Sequence, residues 1–503
     1  MKKLSFICVC VILIVLFTCF LVSACSRDNQ SDKSDPNINA PADDAKDGGD
    51  GDEAEMKVNI LDVLPQNDYK GKEIRILNSS GGPGSQYWLH LEICADTETG
   101  EPLNDAIYAR NKKVEDHFNV QIKEIEGKSA WEARGTAEKT IKAGSEDFEL
   151  FLTDTNESYT VATQGLTVDF NTLPIVDLKA PYWDQDMIRD LSVNNKIYFL
   201  AGDFLLTHYD ATHILMVNKK MLAELGLEDP YALVKNNNWT FDKFYELGKS
   251  AAKDLNGDGV MDQNDRLGYA SWHHMTLPSF MVAAGQWSVS KDSTDKPVVN
   301  INTPDYVNVY HKYMEMVSDP MFFYDGSKMK PRDDFICETM FRNEQTLFFT
   351  EIVYYGIALR DLDLDFGFLP HPKFNANSNI SKSYVINPNT INIPITNSDL
   401  ECASIILEAL NSISRDTVIP AYYEITLKMK ASRDEQSSEV IDLIFNNRSY
   451  DMGFNTYGNV LGFPFITIAE KSDNNITSFY EKNAPKIEAA MQKTIDFYFG
   501  DNN

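Results

Sequence analysis

Polar and apolar positions alternate over Lys72-Glu73-Ile74-Arg75-Ile76-Leu77. That period of two predicts a strand with one buried face, ended by the turn-rich run Asn78-Ser79-Ser80-Gly81-Gly82-Pro83-Gly84. The period then changes to a helical one. Leu103, Ile107, Val114 and Phe118 fall on or beside one face of a helix expected over about Asn104 to Phe118, with Asn104 as its cap. Asn119 to Ile125 alternates again, and Phe148 to Leu152 reads as a third strand running into Thr153-Asp154-Thr155-Asn156. Strands separated by helices predict an α/β sheet. The next stretch repeats the pattern, with strand-like segments at Lys196–Leu200 and Thr212–Val217 and a helix over Asn218–Leu225. Thr240 and Thr303-Pro304 cap further helices, and Lys486 to Tyr498 reads as a closing amphipathic one. No repeat of solenoid period is present.

The first residues follow a different rule. A basic start (Lys2, Lys3), an uncharged apolar run from Leu4 to Val22 and the ending Val22-Ser23-Ala24-Cys25 predict a signal peptide over 1–24. An uncleaved membrane anchor is the competing expectation for such a run. The small-small-Cys ending resembles the lipobox of bacterial lipoproteins, with Val22 in place of the commoner Leu. The resemblance implies that Cys25 is the lipidated first residue of the mature chain. Residues 26–55 have almost no large apolar side chain and carry ten acidic residues against three basic ones. Such a segment cannot offset its ordering entropy, so 25–55 is expected to be an acidic tether.

Composition narrows the function classes. Over 503 residues the formal net charge is −29, and the tether accounts for only part of it. A nucleic-acid binder needs a basic face to release counterions, which argues against that class. At this length the body can bury its own core without staples. Of the seven cysteines, Cys8, Cys10 and Cys19 belong to the signal and Cys25 to the lipid, leaving Cys94, Cys337 and Cys402. Their number is odd and their spacing wide, so free thiols are expected rather than disulfides or a zinc site.

One motif carries specific chemistry. Asp254, Asn256, Asp258, Val260, Asp262 and Asp265 occupy ligand positions one, three, five, seven, nine and twelve of an EF-hand calcium loop, with Gly259 at the sixth. Oxygen donors at this spacing suit a hard cation, and Val260 would contribute its carbonyl. Asp265 stands where Glu is usual, so a shorter arm closes the loop. A single structural Ca2+ is expected, the competing expectation being a bare acidic turn. Enzyme signatures are missing: no nucleophile elbow, zinc-binding His-Glu-x-x-His, P-loop or dinucleotide fingerprint occurs. Adjacent His273 and His274 are expected in a strand, where their side chains diverge.

Several segments occur in an order similar to that of family 1 extracellular solute-binding lipoproteins, the substrate-binding proteins of carbohydrate ABC importers. They are Leu103–Asn111, Phe118-Asn119-Val120, Ala180-Pro181-Tyr182-Trp183-Asp184, Asn195–Tyr198, Val217–Leu222, Asn238-Trp239-Thr240-Phe241, Asp254–Gly259 and Phe366–Lys373. Arg433–Ser437 and Tyr450-Asp451-Met452-Gly453 resemble clostridial members. The resemblance spans about residues 70 to 498 and implies a periplasmic-binding-protein-like type 2 fold: two α/β lobes joined by crossing hinge segments. Lobe one would comprise 56–207 and 350–414, and lobe two 208–349 and 415–503, with crossings near Leu206–Ala211, near Phe348–Ile352 and after the helix around Glu401–Ser414. It also implies a non-enzymatic monomer, lipid-anchored on the extracellular face of the bacterial cytoplasmic membrane, that captures a sugar or oligosaccharide and hands it to permease subunits.

Ligand contacts implied by position are Ser79, Ser80, Tyr87 and Trp88 after the first strand, and Asp154 and Asn156 after the third. Tyr209 and Asp210 stand at the first crossing, Trp272 and His273 in the second lobe, Glu351 and Tyr354 at the second crossing, and Tyr450 and Tyr457 near the end. Competing expectations are a binder of peptides or other small solutes, a calcium-dependent sensory or adhesion protein, and a surface glycoside hydrolase with paired carboxylates.

Overall fold

The computed structural model describes residues 59–79, 93–359, 364–379, 381–423 and 435–500. The expected signal peptide, Cys25, the tether, Ser80, Tyr87 and Trp88 lie outside these residues. Strands are β1 (Lys72–Leu77), β2 (Val120–Ile125), β3 (Leu150–Asp154), β4 (His213–Asn218), β5 (Leu267–Ser271), β6 (Val289–Lys291), β7 (Pro297–Val299), β8 (Phe323–Asp325), β9 (Thr346–Ile352), β10 (Phe366–Leu369), β11 (Ser383–Tyr384), β12 (Asn389–Asn392) and β13 (Arg448–Ser449). They form a four-stranded sheet in the order β12-β3-β1-β2 and a five-stranded sheet in the order β10-β4-β9-β5-β8. In the first, β1 runs parallel to β2 and β3 while β12 is antiparallel to β3. In the second, β5, β8 and β9 are parallel and β4 is antiparallel to both β9 and β10.

Local sequence explains most elements. The helix Pro102–Phe118 starts one turn ahead of expectation: Glu101, not Asn104, caps it by accepting the Asn104 N–H, and Pro102 fills the first helical position. It ends where Asn119 turns left-handed at φ 52°. Thr240 and Thr303 cap their helices as expected, and Asn218, expected as a helical residue, caps Lys219–Leu225; each accepts the N–H three residues on. The closing helix is longer than its periodicity suggests, Ile476–Phe499, with Pro485 inside it. Lys196–Leu200 forms isolated bridges rather than a strand, one of them from Leu200 to Ile391. His273 and His274 begin the helix His273–Ala283 instead of lying in a strand.

Beneath the second sheet, Phe244 is the hub of an aromatic cluster, its ring 4.9 Å from Phe348, 5.1 Å from Tyr269 and 5.2 Å from Phe322. The helix Phe241–Ala251 reaches this depth because Gly248 meets Gly268 backbone to backbone; a Cβ on Gly268 would lie 2.5 Å from the Gly248 carbonyl carbon. Cys337 and Cys402 are buried free thiols and Cys94 is half-buried.

The chain passes from the first sheet to the second through the short helix Thr207–Asp210 and returns through Val385–Asn389. These passages touch: Thr212 bridges Val385, and the Ile386 N–H donates to Ala211 O at 3.1 Å. The return falls later than expected. β9 ends inside the second sheet, and Phe366–Leu369, expected to re-enter lobe one, pairs with β4 as an edge strand. Its four residues are all buried, so its apolar run is satisfied there on both faces.

Where these passages meet, Asp184 and Arg448 form a buried pair at 3.3 Å. The Arg448 guanidinium lies 4.6 Å over the Tyr209 ring, and Tyr450 donates its hydroxyl to Asp184 at 2.7 Å. Burial opposes the Asp184 charge, but Arg448, with the Met187 N–H and the Tyr450 hydroxyl, holds its carboxyl below the usual range. His208 itself is pushed down to about 3 by burial and by Arg448, so it is neutral here. Removing one partner strands the other charge in the interior. Arg448→Met or Asp184→Leu alone is expected to cost about 3–5 kcal/mol in urea unfolding, and the two together less than their sum.

Candidate functional site

In α/β sheets, ligands sit outside the carboxyl ends of the strands. Both sheets present such an edge to the crossings. β4 starts at His213, directly after the first passage, and its first residue pairs with Ile352, the last of β9. β12 starts at Asn389, directly after the return, and that residue pairs with Asp154, the last of β3. The ends of β1 and β3 and the ends of β5, β8 and β9 therefore converge on the same passages.

At the first edge, the Ser79 hydroxyl donates to Asn389 Oδ1 at 2.9 Å. Asn389 Nδ2 is buried and has no partner. Beside it, Asp154 is half-buried and caps the helix Thr155–Ala162 by accepting the Glu157 N–H at 2.9 Å. Desolvation pushes its carboxyl up to about 6, against the lowering effect of that N–H. Asn156 is wholly committed. Its Nδ2 donates to Asn387 Oδ1 and Phe454 O, both at 2.8 Å, and its Oδ1 accepts the Gly458 N–H at 2.9 Å.

At the second edge, Trp272 follows β5 and Glu351 lies one residue from the end of β9. Ala270 pairs with Phe349, and the Trp272 ring lies 6.3 Å from that of Phe349. Trp272 rests on Gly326, where a Cβ would come within 2.4 Å of the indole nitrogen. Glu351 is buried, and the hydrogen bond it accepts comes from its own neighbour, the Ile352 N–H, at 3.1 Å. Burial pushes its carboxyl up to about 8; the facing charge is Glu338, of like sign. Half-buried Tyr354 follows on the helix Val353–Ala358, and exposed His274 has its ring 6.1 Å from that of Trp272.

The remaining expected contacts have structural partners. Tyr209 donates to Asp203 at 2.6 Å, Asp210 accepts from Tyr422 at 2.7 Å, and His273 Nδ1 meets the Tyr313 hydroxyl at 2.7 Å. Tyr450 serves Asp184, and Tyr457 shares a 2.7 Å hydrogen bond with Thr494. The structure thus gathers Ser79 and Asp154 at one edge and Trp272, Glu351 and Tyr354 at the other. Sequence reasoning missed Asn389, whose signal was the alternation Asn387-Pro388-Asn389-Thr390-Ile391. A separate cavity of about 730 Å³ is flanked by β2 and the helix Pro102–Phe118, and no second-sheet strand lines it.

The loop Asp254–Asp265 lies between the helix Phe241–Ala251 and β5, closed by the mutual backbone hydrogen bonds of Lys253 and Arg266 at 2.7 and 3.0 Å. One carboxylate oxygen from each of Asp254, Asp258 and Asp265 lies within 4.8 Å of the other two. Asp265 is buried and accepts the N–H groups of Leu255 and Asp262; Gly259 is left-handed at φ 79°. Three like charges this close suit a divalent cation, and the donors are all oxygen.

No family model matches this chain, and no curated protein does. Solved structures do. The ABC substrate-binding protein Lmo0181 from Listeria monocytogenes, in complex with cycloalternan, matches with a TM-score of 0.55 at 12% identity, over 83% of this chain and 99% of that one. A family 1 extracellular solute-binding protein from Bifidobacterium longum subsp. infantis matches at 0.55 and 15%, over 83% and 100%. The cyclic alpha-maltosyl-1,6-maltose binding protein from Arthrobacter globiformis matches at 0.54 and 13%, over 85% and 99%. The chain has the two-lobed periplasmic-binding-protein-like fold of these proteins.

The Glu351 environment has a measurable consequence. Its folded pKa, about 8, lies above its usual 4.5, so the folded chain holds this proton over that interval. The contribution is complete below about pH 4.5 and is lost as pH rises through 8. Glu351→Gln should therefore gain stability on the wild type by about 1.4 kcal/mol per pH unit from about pH 5 to pH 8 in urea unfolding. A pH-independent difference would contradict the buried assignment.

Proposed function

We propose that this chain is the substrate-binding component of a carbohydrate ABC importer, taking up a sugar or oligosaccharide between its lobes and delivering it to permease subunits. The observation that carries this reading is the convergence of two carboxyl-end edges on the crossings, in a fold shared with proteins described with cycloalternan or named for cyclic alpha-maltosyl-1,6-maltose. Hinge closure about the crossings would enclose the ligand. A non-enzymatic role is in keeping with the solved neighbours, which are named as binding proteins.

The lobes are best divided by sheet. The first sheet takes β1–β3 and β12, and the second takes β4, β5, β8, β9 and β10. Residues 1–24 serve as signal peptide, Cys25 carries lipid, and the acidic tether to 55 holds the monomeric body at the extracellular face of the membrane. Among the described residues no helix is long and apolar enough to cross a membrane. Calcium, held by Asp254, Asn256, Asp258, the Val260 carbonyl, Asp262 and Asp265, neutralises the loop between the helix Phe241–Ala251 and β5.

Two measurements test this. In a thermal-shift screen of the body, neutral oligosaccharides should raise the melting temperature; a shift from peptides or polyamines and none from any sugar would contradict the carbohydrate assignment. Chelation of Ca2+ should lower the melting temperature of the ligand-free protein and leave Asp265→Asn unmoved; equal responses from both would remove the metal from the account.

A further inference from the structure

The loop Asp254–Asp265 contains the chain's one asparagine followed by glycine, Asn256-Gly257. An asparagine carboxamide can be attacked by the backbone nitrogen of the next residue, and a glycine, lacking a Cβ, shields that nitrogen least. Both residues are exposed. Gly257 is left-handed at φ 75°, and a Cβ built on it would meet nothing within 4 Å, so the dipeptide is open to water.

Two hydrogen bonds favour the attack. The Gly257 N–H donates to Asp254 Oδ1 at 2.6 Å, which sets a carboxylate on the proton that must leave the nitrogen. Asn256 Oδ1 accepts the Asp258 N–H at 2.8 Å, which polarises the carbonyl and supports charge developing on its oxygen. A backbone N–H can only donate, so the orientation of the amide is fixed, and its Nδ2 donates to Asp258 Oδ2 at 3.0 Å. Base, nucleophile and polarised electrophile are thus all present between Asp254 and Asp258.

We propose that Asn256 is a site of spontaneous deamidation, with Asp254 as the base. Asp254 takes the proton from the Gly257 nitrogen as that nitrogen bonds to Asn256 Cγ. The Cγ–Nδ2 bond breaks and, with a proton returned to Nδ2, ammonia leaves a cyclic imide. Water opens the imide at either carbonyl, giving aspartate or isoaspartate at position 256. No electrons are exchanged, and water is the one co-reactant. Aspartate replaces the donor facing Asp258 with a second carboxylate, and isoaspartate adds a carbon to the backbone of the loop, so either product changes the loop's oxygen donors. In the calcium reading above the cation would draw on the same Asp254 and Asn256 oxygens, so the reaction belongs to the cation-free loop. It is independent of what the lobes bind.

The full chain is incubated with a chelator at neutral pH, and peptides spanning the loop are followed by mass spectrometry, with isoaspartate measured by enzymatic methylation. Asn256 should convert before Asn377, which is also exposed but precedes a serine. Asn256→Gln should abolish the conversion, because the longer side chain closes the ring poorly. Asp254→Asn should slow it by about tenfold or more, and Asp254→Glu should restore part of the rate. Melting curves monitor folding, and Asp254→Glu and Asn256→Gln carry the comparison if Asp254→Asn does not fold. An Asn256 still intact after Asn377 has converted would overturn the proposal. Conversion in Asp254→Asn as fast as in the wild type would overturn the assignment of Asp254 as the base.

Discussion

The buried pair between Asp184 and Arg448 is the constraint on which the rest of the arrangement depends. Its members are more than two hundred residues apart, so closing that contact organises the intervening chain. Arg448 lies over Tyr209 in the first passage, and β13, which it opens, pairs with β11 just before the return. Tyr450, two residues on, bonds the same carboxylate. One charge pair thereby ties together the outward passage, the return and the C-terminal segment. In a dry interior such a pair contributes little net stability and much specificity of arrangement, because every alternative leaves a charge unmatched.

Once the passages are fixed, the polar residues around them fall into two groups. Tyr209, Asp210, Asn156, Tyr450 and Tyr457 spend their hydrogen bonds on the crossings and on the packing beside them. Asn389 at one edge, whose Nδ2 has no partner, and Glu351 at the other, held by the adjacent Ile352 N–H, stand apart from that support. The support holds the two strand-end edges in place beside the crossings.

Much of this fold was legible in local sequence. Alternation located β1 and β2, side-chain caps at Asn218, Thr240 and Thr303 set their helix starts, and the spacing of Asp254 to Asp265 matches carboxylates that lie close together. What was not legible was membership. Phe366–Leu369 is a fully buried strand whose apolar run fits either sheet, and its pairing with β4 is decided by contacts across the chain. Lys196–Leu200 has strand composition but finds only bridging partners. The candidate ligand residues were legible as types. Nothing in the order of residues distinguishes Tyr209, consumed by Asp203 and Arg448, from Trp272, buried against Phe349 and Gly326. Asn389 escaped notice because its significance lies in the pairing with Asp154 and Ser79, both far away in the chain.

The most direct measurement is a crystal structure of the protein with a neutral oligosaccharide. The account predicts a sugar lying between the two sheets, with the strand ends of both contributing to the same ligand. A saccharide bound instead in the cavity between β2 and the helix Pro102–Phe118, touching the first sheet alone, would contradict it.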